Sequence, residues 1–440
     1  MVACTKRLAV GCAVASVLVG VTVSAGPADA ARHGPVGTTP ARYTPWLLES
    51  TPNQQVRELV PCGGRMYAVG TISAVGQGSH TYHPGNAFSF SQTTGAVSRW
   101  NPRVNGEVNS IALTDDCGTA YLGGSFSTVH GVAASNIVAV NTTTGAVRTG
   151  FRHDADGEVD TVQVVHGRVF AGGTFTHING RARARLASLE RLTGAVTPYS
   201  RLAVTGGYPN TTKRVYNSQV SHDEKRMLIE GVFTSVGSRP REQVAVLVLG
   251  RRRLGVDRWT SAEFDRACSI RFYVRAGAWS PDDSRIYTAS TGERPVSGLG
   301  SKRSDPRRGL CDSVAEFPFR HEAVSHRWVN YTGCDSLYGV VADNHAVYVT
   351  GHERWANNGH GCDTAGPGAV SRPGLAAINP STGKARGWNP TRSKGIGGDD
   401  MTFTRLGLWV ASDNWKNGQA QMCGHQGRHG GICLLPYRTS

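Results

Sequence analysis

A repeated sequence unit is the feature that most constrains how this chain can fold. Residues 120–147 read AYLGGSFSTVHGVAASNIVAVNTTTGAV, which is a short apolar strand ending in glycines, a polar loop, a second apolar strand and a T-T-G turn. Residues 169–196, VFAGGTFTHINGRARARLASLERLTGAV, repeat the unit, and weaker copies begin at Tyr67 and Met227. The copies are about 49 to 61 residues apart, the length of a four-stranded propeller blade or a Kelch-like unit.

The repeat predicts an all-β fold, a single β-propeller domain over residues 43–440, because a closed array of blades can use most of a 440-residue chain as one domain. We count seven four-stranded blades, and six or eight are also compatible with the spacing. The last copy lacks an outer strand, whereas Tyr43–Glu49 (YTPWLLE) stands ahead of the first copy. Pairing this N-terminal strand with the last blade would close the ring and cover exposed strand edges.

The start of the chain has the pattern of a secretory signal peptide over residues 1–30. Lys6 and Arg7 precede an apolar stretch, and A-D-A at residues 28–30 offers a small-residue cleavage site. Residues 31–42 are expected to form a flexible segment ahead of the propeller. No later stretch approaches the ~20 apolar residues of a membrane span, so we expect a secreted, extracellular protein with no membrane span.

Eight cysteines remain once the two in the signal segment are removed, an even number typical of disulfides in an exported protein. They are Cys62, Cys117, Cys268, Cys311, Cys334, Cys362, Cys423 and Cys433. In the predicted topology, Cys62 and Cys117 lie in corresponding turns of neighbouring blades, and the pairs 268–311 and 334–362 join loops at one end of the propeller. Cys423 and Cys433 are then left as the fourth pair. The sequence alone leaves the connectivity open, because eight cysteines allow 105 pairings.

The chain is strongly basic, with a net charge of +15 that becomes +14 when Lys6, Arg7 and Asp29 leave with the signal segment. Such a balance favours anionic neighbours outside the cell, such as an anionic wall polymer. The alternative is an arginine-rich composition without a binding role. The sequence lacks the aromatic interleaving of single-strand binders, so we expect no nucleic-acid partner. We expect a monomer.

Common cofactor and catalytic motifs are missing from the sequence. It contains no G-x-S-x-G, P-loop or H-E-x-x-H pattern and no Cys/His zinc spacing. Acidic residues alternate around a glycine at Asp154–Asp160, but the glutamate that completes a calcium loop is missing. The equivalent junction at Asn101–Asn109 mostly lacks calcium ligands. We therefore expect no cofactor and no metal.

Three long insertions fall at one end of the predicted propeller, in its last three blades. They are Thr291–Leu310, His352–Gly374 and Asn414–Gly431. Long loops on a rigid scaffold often carry function. This end of the molecule is therefore the predicted functional face.

The second insertion supplies the candidate binding residues. They are His352, Glu353, Arg354, Trp355, Asn357 and Asn358. An imidazole, a carboxylate, a guanidinium, an indole and two amides form a set suited to sugars or anions. The alternative is that these groups satisfy the backbone of a long loop and that the indole packs beneath it.

The repeat also carries a family resemblance. GGSFSTVHGVAASNIVAVNTTTGAV and GGTFTHINGRARARLASLERLTGAV resemble the repeat of secreted actinobacterial β-propeller proteins with delta-60-type repeats, in the galactose oxidase/Kelch-like propeller superfamily. The segments GHERWANN, GPGAVSRPG and WNPTRSKG resemble further parts of that family. The resemblance implies a propeller and export. It implies no catalytic residue, because the family has no established activity.

These observations predict a secreted, disulfide-braced binding or scaffold module whose ligand is an extracellular glycan or an anionic wall polymer. The alternative is an extracellular enzyme at the same end, either a glycan hydrolase or lyase using His352 and Glu353 or a metal-dependent oxidase. An enzyme requires His352, Glu353 or another carboxylate to converge on a water-excluding pocket near the axis. A binding module can instead spread Trp355 and the arginines over an open rim, and the fold alone does not choose between the two.

Overall fold

The computed structural model describes residues 34–48, 50–51, 53–265, 268–293, 309–392, 397–416, 419–420, 423 and 430–438. The predicted signal segment, residues 1–30, lies outside the described residues. In the described part, the regular structure is β strand apart from one short 3₁₀ helix, Ala262–Asp265. The all-β prediction is therefore confirmed.

Seven sheets follow one another along the described part of the chain, and each is an antiparallel meander of strands A, B and C. Their bounds are Gln55–Cys62, Arg65–Thr71 and Ala87–Ser91 in sheet 1; Glu107–Leu113, Thr119–Ser125 and Ile137–Asn141 in sheet 2; Val159–Val165, Arg168–Gly173 and Leu186–Glu190 in sheet 3; Arg214–Val220, Arg226–Val232 and Val244–Leu249 in sheet 4; Val274–Trp279, Arg285–Ser290 and Ser313–Pro318 in sheet 5; Leu337–Ala342, Val347–Gly351 and Leu375–Ile378 in sheet 6; Gly398–Thr404, Gly407–Ser412 and Ile432–Pro436 in sheet 7.

The predicted outer strand, D, is shorter than expected. It is a full strand in sheet 4, at Leu254–Val256, and in sheet 5, at Trp328–Tyr331. In four other sheets a single bridge stands in its place: Phe90 with Val97, Val140 with Val147, Leu189 with Val196, and Ile378 with Ala385. The T-T-G turn of the repeat produces this geometry, because its glycine has positive φ, as at Gly145 (φ 76°), and returns the chain after only a few residues.

The first strands of the sheets form a closed ring. Strand A of each sheet contacts strand A of the next, and strand A of sheet 7 contacts strand A of sheet 1. The sheets therefore surround a central axis, with strand A innermost, and the fold is a β-propeller. Its hydrophobic core lies between neighbouring sheets, as where Phe90 of sheet 1 packs on Trp409 of sheet 7.

Small hairpins extend most of the sheets between strands B and C. Their strands are Val75–Gln77 with His80–Tyr82, Thr128–Val129 with Val132–Ala133, His177–Ile178 with Arg181–Ala182, Ser235–Val236 with Arg239–Pro240, Trp355–Ala356 with Val370–Ser371, and Trp415–Lys416 with Gln419–Ala420. Val204–Thr205 adds a third strand to the fourth of these hairpins. The hairpins lie at the end of the propeller where the A strands begin, since the Ile178 bridge reaches Ala155 just before strand A of sheet 3.

The N-terminal segment closes the ring, although not as one regular strand. The backbone N–H groups of Gly37, Ala41 and Leu47 donate to the carbonyls of Pro436, Leu434 and Gly430, so the segment runs along the last strand of sheet 7. The two-residue strand Trp46–Leu47, however, pairs with Val75–Gln77 of sheet 1. The predicted strand thus bridges the first and last sheets. Residues 34–42, which we expected to precede the propeller, share in this pairing.

The N-terminal segment also makes the side-chain hydrogen bonds that the outer strands make elsewhere in the ring. Along the outer edge, an indole or phenol of one sheet donates to a carbonyl near strand C of the next: Trp100 to Asn141, Tyr199 to Gly250, Trp259 to Pro318 and Trp328 to Pro380. Trp388 donates to Gly37 at 2.9 Å and Tyr43 donates to Gln92 at 2.9 Å. The segment is therefore bonded to its two neighbours as the outer strands are.

Four disulfides brace the ring. They join Cys62 to Cys117, Cys268 to Cys311, Cys334 to Cys362 and Cys423 to Cys433. These are the pairs that the predicted topology brings together. The first lies at the A–B turns of sheets 1 and 2, at the end opposite the hairpins.

Candidate functional site

Strand A of each of the seven sheets carries a β-bulge at the same position. The register with strand B shifts around Arg57, Asn109, Asp160, Tyr216, Arg275, Tyr338 and Asp399, one residue in each sheet. A bulge leaves one residue unpaired and turns its side chain away from the regular alternation of the strand. Each of these residues follows a fully buried or nearly buried one, such as Val56 or Val274, and is itself partly exposed.

The seven bulged residues line one cavity at the mouth of the central channel. The cavity has a volume of about 250 Å³ and opens at the end that carries the hairpins. Its remaining lining comes from other polar residues of the A strands and the connections before them: Glu58, Glu107, Ser110, Glu158, Thr161, Arg214, Asn217, Gln219 and Asp400. We call this cavity the channel mouth. A second cavity of about 410 Å³ continues the channel towards the opposite end.

On one side of the channel mouth the charged groups are paired with one another. The Arg57 guanidinium lies 2.6 Å from the Glu107 carboxylate and 3.3 Å from that of Asp399. Arg214 lies 2.8 Å from the Glu158 carboxylate and also pairs with Asp160. These ion pairs join neighbouring sheets and leave few free hydrogen-bonding groups on this side.

On the other side, a guanidinium is held by aromatic rings. The Arg275 guanidinium carbon lies 4.5 Å from the ring centre of Tyr216, 5.4 Å from that of Tyr338 and 5.9 Å from that of Tyr273. Cation–π contact fixes the side chain without using its N–H groups. Within the described residues, Arg275 makes no hydrogen bond or ion pair, so its donors are available to a ligand.

The phenols beside Arg275 stay neutral at ordinary pH. Burial raises the pKa of Tyr216, and it raises the pKa of Tyr338 to about 12. A neutral phenol can both donate and accept a hydrogen bond. The hydroxyls of Tyr216 and Tyr338 have no hydrogen-bond partner in the described part of the chain. This half of the channel mouth therefore offers unused donors and acceptors.

Two carboxyl groups lie at the base of the channel mouth, where it meets the second cavity. Burial, together with the charge of Asp400, raises the pKa of Glu58 to about 8. Burial also raises the pKa of Asp400, to about 7. Both groups accept backbone hydrogen bonds, Glu58 from Ile111 at 2.7 Å and Asp400 from Leu59 at 3.0 Å. Near neutral pH the pair therefore retains a proton.

The residues predicted from the second insertion lie at the hairpin end of the propeller, but they do not line a common pocket. Arg354 pairs with Asp335 and Asp363 and lies over the Trp355 ring, 4.6 Å from its centre. Trp355 itself belongs to the hairpin strand that pairs with Val370–Ser371. Arg354 thus has its guanidinium already occupied by carboxylates and an indole.

The two predicted asparagines are already hydrogen-bonded, Asn357 to residues outside the insertion and Asn358 within it. The Asn357 amide oxygen accepts from Asn330 at 2.6 Å and from the Ala385 backbone at 3.1 Å. Asn358 is buried, donates to Thr364 and accepts from the Gly366 backbone. The bonds of Asn358 match the alternative that polar side chains satisfy the backbone of a long loop, and those of Asn357 join the loop to its neighbours.

The predicted acid–base pair is not brought together at a surface. Glu353 is 0% exposed, has no hydrogen-bond partner for its carboxyl oxygens in the described residues, and has a pKa raised well above its ordinary value by burial. His352 lies outside it, with its ring 5.5 Å from that of Tyr338. Of the six predicted residues, His352 is therefore the one shown in contact with the bulged residues that line the channel mouth.

Three of the four acidic residues that resembled a calcium loop, Asp156, Glu158 and Asp160, have protein partners for their carboxylates. Asp156 accepts from the backbones of Thr176 and His177 at 2.7 and 2.9 Å. Asn105 plays the same role in sheet 2, accepting from Ser127 and Thr128. Elsewhere in the described residues, one group with metal-ligand spacing is Glu293 with Cys334 and Cys362, but those two cysteines form a disulfide.

Much of the other two insertions lies outside the described residues. Residues 294–308 of the first and residues 417–418, 421–422 and 424–429 of the third fall in the gaps. The described parts of the chain contain no helix long and apolar enough to cross a membrane. Four disulfides fit an exported protein.

Comparison with known proteins supports the fold. No known family and no curated protein matches this sequence. The chain is similar to a solved structure of U3-55K, with a TM-score of 0.51, 9% identity, 90% of this chain covered and 99% of that one. It is also similar to the WD40 repeats of RRP9, with a TM-score of 0.52, 9% identity, 91% of this chain covered and 99% of that one. At this identity the likeness shows a β-propeller and no shared function.

Proposed function

We propose that this protein is a secreted binding module that holds one sugar residue of an extracellular glycan in its channel mouth. The observation that supports this most is the convergence of seven bulged side chains on one cavity. Two phenols, two guanidiniums, two carboxylates and an amide are brought there by seven separate strands. Bulges at equivalent positions are a way of aiming side chains at a ligand.

The chemistry of the cavity suits a polyhydroxylated ligand. Arg275 and the hydroxyls of Tyr216 and Tyr338 offer unused donors and acceptors, while the aromatic rings provide flat apolar surface. Hydroxyl-rich ligands require both, because their hydrogen bonds must replace those to water.

The size of the cavity limits what enters it. Its volume of about 250 Å³ lies below the ~300–1,000 Å³ of typical pockets for drug-sized ligands. A single sugar unit is therefore the expected occupant, with the rest of the glycan lying over the hairpins and long loops. Six carboxyl groups against three guanidiniums line the channel mouth, which disfavours an anionic polymer at this position.

A glycan hydrolase is the second candidate, and one observation favours it. Glu58 and Asp400 both lie where the channel mouth meets the second cavity, and burial raises the pKa of each, which suits a carboxyl group that acts as a general acid. Glu353, the carboxylate that the sequence suggested for this role, is fully buried. Incubation of the mature protein with every bound glycan, followed by product analysis, would decide between binding and turnover.

The remaining parts of the proposal concern the state of the protein. We propose that residues 1–30 are removed on export and that the mature protein acts as a monomer outside the cell. The resemblance to secreted propellers with delta-60-type repeats and the four disulfides support export. Intact-mass analysis and light scattering of the secreted protein test both statements.

A glycan-binding screen of the mature protein at physiological salt tests the main proposal. Replacing the guanidinium that the aromatic rings hold, in Arg275→Gln, should weaken glycan binding about tenfold or more, since a guanidinium contact with a ligand contributes about 1.5–3 kcal/mol. Tyr216→Phe should weaken it less, because one hydroxyl is lost. Arg354→Gln is the matched control, since it removes an arginine that is already paired at the same end of the molecule.

The outcomes separate the candidate sites. Loss of binding in the Arg275 variant alone supports the channel mouth. Loss in the Arg354 control alone, or in Trp355→Ala, would move the site to the second insertion. Failure of the wild-type protein to bind any glycan at physiological salt would overturn the proposal.

A further inference from the structure

A third cavity opens at the outer rim of the same end, between sheets 3 and 4. It has a volume of about 610 Å³. Three arginines line it, Arg181, Arg183 and Arg201, together with small or apolar residues: Ala182, Ala184, Val196, Pro198, Leu202 and Ala203. We call this cavity the rim groove. Its lining includes no acidic residue.

The fold fixes two sides of the rim groove. The B–C hairpin of sheet 3 contributes Arg181 and Arg183, and the connection to sheet 4 contributes Arg201. The Arg183 guanidinium donates to the carbonyls of Ala182 at 2.8 Å and Thr197 at 3.3 Å, which orients it across the groove. Its position is therefore set before any ligand arrives.

The positive charge of the rim groove is unbalanced. Within the described residues, none of the three arginines forms an ion pair, unlike Arg57 and Arg214 in the channel mouth. Burial and the charges of Arg201 and Arg181 lower the pKa of Arg183. The Nε atom of Arg183 is buried and has no hydrogen-bond partner in the described part of the chain. Such a cluster is stabilised when an anion binds.

The next sheet provides a direct comparison. Arg239 and Arg241 occupy the corresponding positions in the hairpin of sheet 4, and Arg241 donates to the Pro240 and Asp257 carbonyls. There, however, the carboxylate of Asp257 lies close enough to raise the pKa of Arg241, although burial lowers it overall. Arg241 also has a buried Nε atom without a hydrogen-bond partner in the described residues, but the acidic Asp257 lies near it, whereas the lining of the rim groove has no acidic residue.

We propose that the rim groove binds a linear polymer that carries tetrahedral oxyanions, sulfate or phosphate esters, along a carbohydrate or polyol backbone. Guanidinium groups match such oxyanions with paired N–H donors. Val196, Pro198 and Leu202 provide apolar surface for the carbon backbone between successive anionic groups. This site is separate from the channel mouth and does not depend on the function proposed for it.

The test uses the mature protein with three probes: dextran sulfate, synthetic poly(glycerol phosphate) and uncharged dextran. Affinities are measured by titration at physiological salt. The double variant Arg181→Gln, Arg201→Gln should weaken binding of the oxyanion polymers about tenfold, since two of the three charge contacts in the groove are lost together. The matched control is Arg239→Gln with Arg251→Gln, which removes the same charge from sheet 4.

The variants test whether the rim groove is the binding site, and the probes test which oxyanion it prefers. Selective loss in the groove variant, with the sheet 4 control within about threefold of wild type, supports the rim groove. Equal loss in both variants means that bulk charge alone binds polyanions and overturns it, as does failure of wild type to bind either charged probe. Preference for one probe distinguishes sulfate from phosphate. Arg275→Gln should leave this binding unchanged, which separates it from the channel mouth. Thermal unfolding of each variant checks that it is folded.

Discussion

The Glu58 carboxylate accepts a hydrogen bond of 2.7 Å from the backbone N–H of Ile111, so a side chain of sheet 1 is bonded to strand A of sheet 2. The same link runs from sheet 7 to sheet 1, where Asp400 accepts from Leu59, and from sheet 2 to sheet 3, where Ser110 accepts from Val162. These bonds connect adjacent sheets around the axis directly below the channel mouth. They make the base of the site a structural element as well as a polar surface.

The stability of the protein should fall as the pH rises from about 5 through about 8. The folded state keeps protons on Glu58 and Asp400, with pKa values of about 8 and about 7, whereas the unfolded chain releases them near its ordinary, lower values. The folded state therefore binds more protons in this window, and the free energy of unfolding decreases with pH.

Denaturant unfolding at a series of pH values measures this effect. Glu58→Gln keeps an acceptor for the Ile111 N–H but removes the titration, so its stability should depend less on pH. Glu322→Gln, at an exposed position, is the control and should follow wild type. An unchanged pH dependence in the Glu58 variant would contradict the prediction.

Replacing the buried glutamate of sheet 4 should stabilise the protein. Glu230 is 0% exposed, its carboxyl oxygens have no partner among the described residues, and a Cβ on Gly277 of sheet 5 would lie 1.9 Å from it. Burial raises its pKa well above the ordinary value, so the group is buried as a neutral acid. Glu230→Met fills a similar volume without an unsatisfied polar group and should raise the free energy of unfolding by about 1 kcal/mol.

Two further variants at Glu230 serve as controls for the stability of the Met variant. Glu230→Gln keeps an unsatisfied polar group and should give no gain. Glu230→Ala should destabilise, because it leaves a cavity between sheets 4 and 5. A Met variant as unstable as the Ala variant would show that the carboxyl makes a stabilising contact.

Removing the Tyr43 hydroxyl should weaken the closure of the ring. Tyr43→Phe loses the bond to the Gln92 carbonyl, which joins the N-terminal segment to sheet 1. We expect a loss of about 1 kcal/mol in the free energy of unfolding. Tyr82→Phe, whose hydroxyl has no hydrogen bond in the described residues, is the control. Equal effects of the two substitutions would argue against a role for this bond in closure.

Breaking the disulfide between sheets 1 and 2 should lower stability without changing the affinity for the ligand. The Cys62–Cys117 bond closes a loop of 55 residues at the end opposite the channel mouth. Its loss in Cys62→Ser, Cys117→Ser should lower the free energy of unfolding by about 4 kcal/mol on the chain-entropy estimate. Glycan affinity of the folded protein should be unchanged, and a parallel loss of affinity would show that the two ends are coupled.

The fold could be predicted because the repeat appears in the sequence at a nearly constant interval. Gly123 and Gly172 occupy equivalent positions at sheet contacts, where an added Cβ would lie 2.6 Å from Val159 and 2.9 Å from Val215 of the following sheets. The N-terminal closure followed from the missing outer strand. The sequence did not predict that the N-terminal segment pairs with both sheet 1 and sheet 7. Trp46 packs on Gly76 and Leu47 packs on Gly431, and these contacts depend on both sheets being in place.

The site was harder to predict, because its residues occupy equivalent positions in the seven A strands but differ in amino-acid type. Arg57, Asn109 and Asp160 share no motif, and each lies in an apolar strand that precedes the recognisable part of the repeat. A signal was nevertheless present. In six of the seven A strands the bulged residue directly follows a buried valine or leucine, and in sheet 7 it follows Gly398. Aligning the A strands by the repeat would have placed these residues in one ring.

The second insertion was predicted instead because its polar residues are adjacent in the sequence. Long loops need hydrogen bonds for their polar groups, and Asn358 supplies them within the loop while Asn357 joins the loop to Asn330 of sheet 5. Adjacency along the chain was therefore a weaker guide than equivalence between repeats.

The ion pair between Arg57 and Asp399 joins the first sheet of the ring to the last. A nascent chain can form the early sheets, with their bulged side chains, long before the strand that carries Asp399 has been synthesised. Until that strand is present, the channel mouth is incomplete and Arg57 lacks one of its two carboxylate partners. Ligand binding would therefore report that the whole chain has finished folding, and an incomplete or nicked chain would be recognisable by its failure to bind.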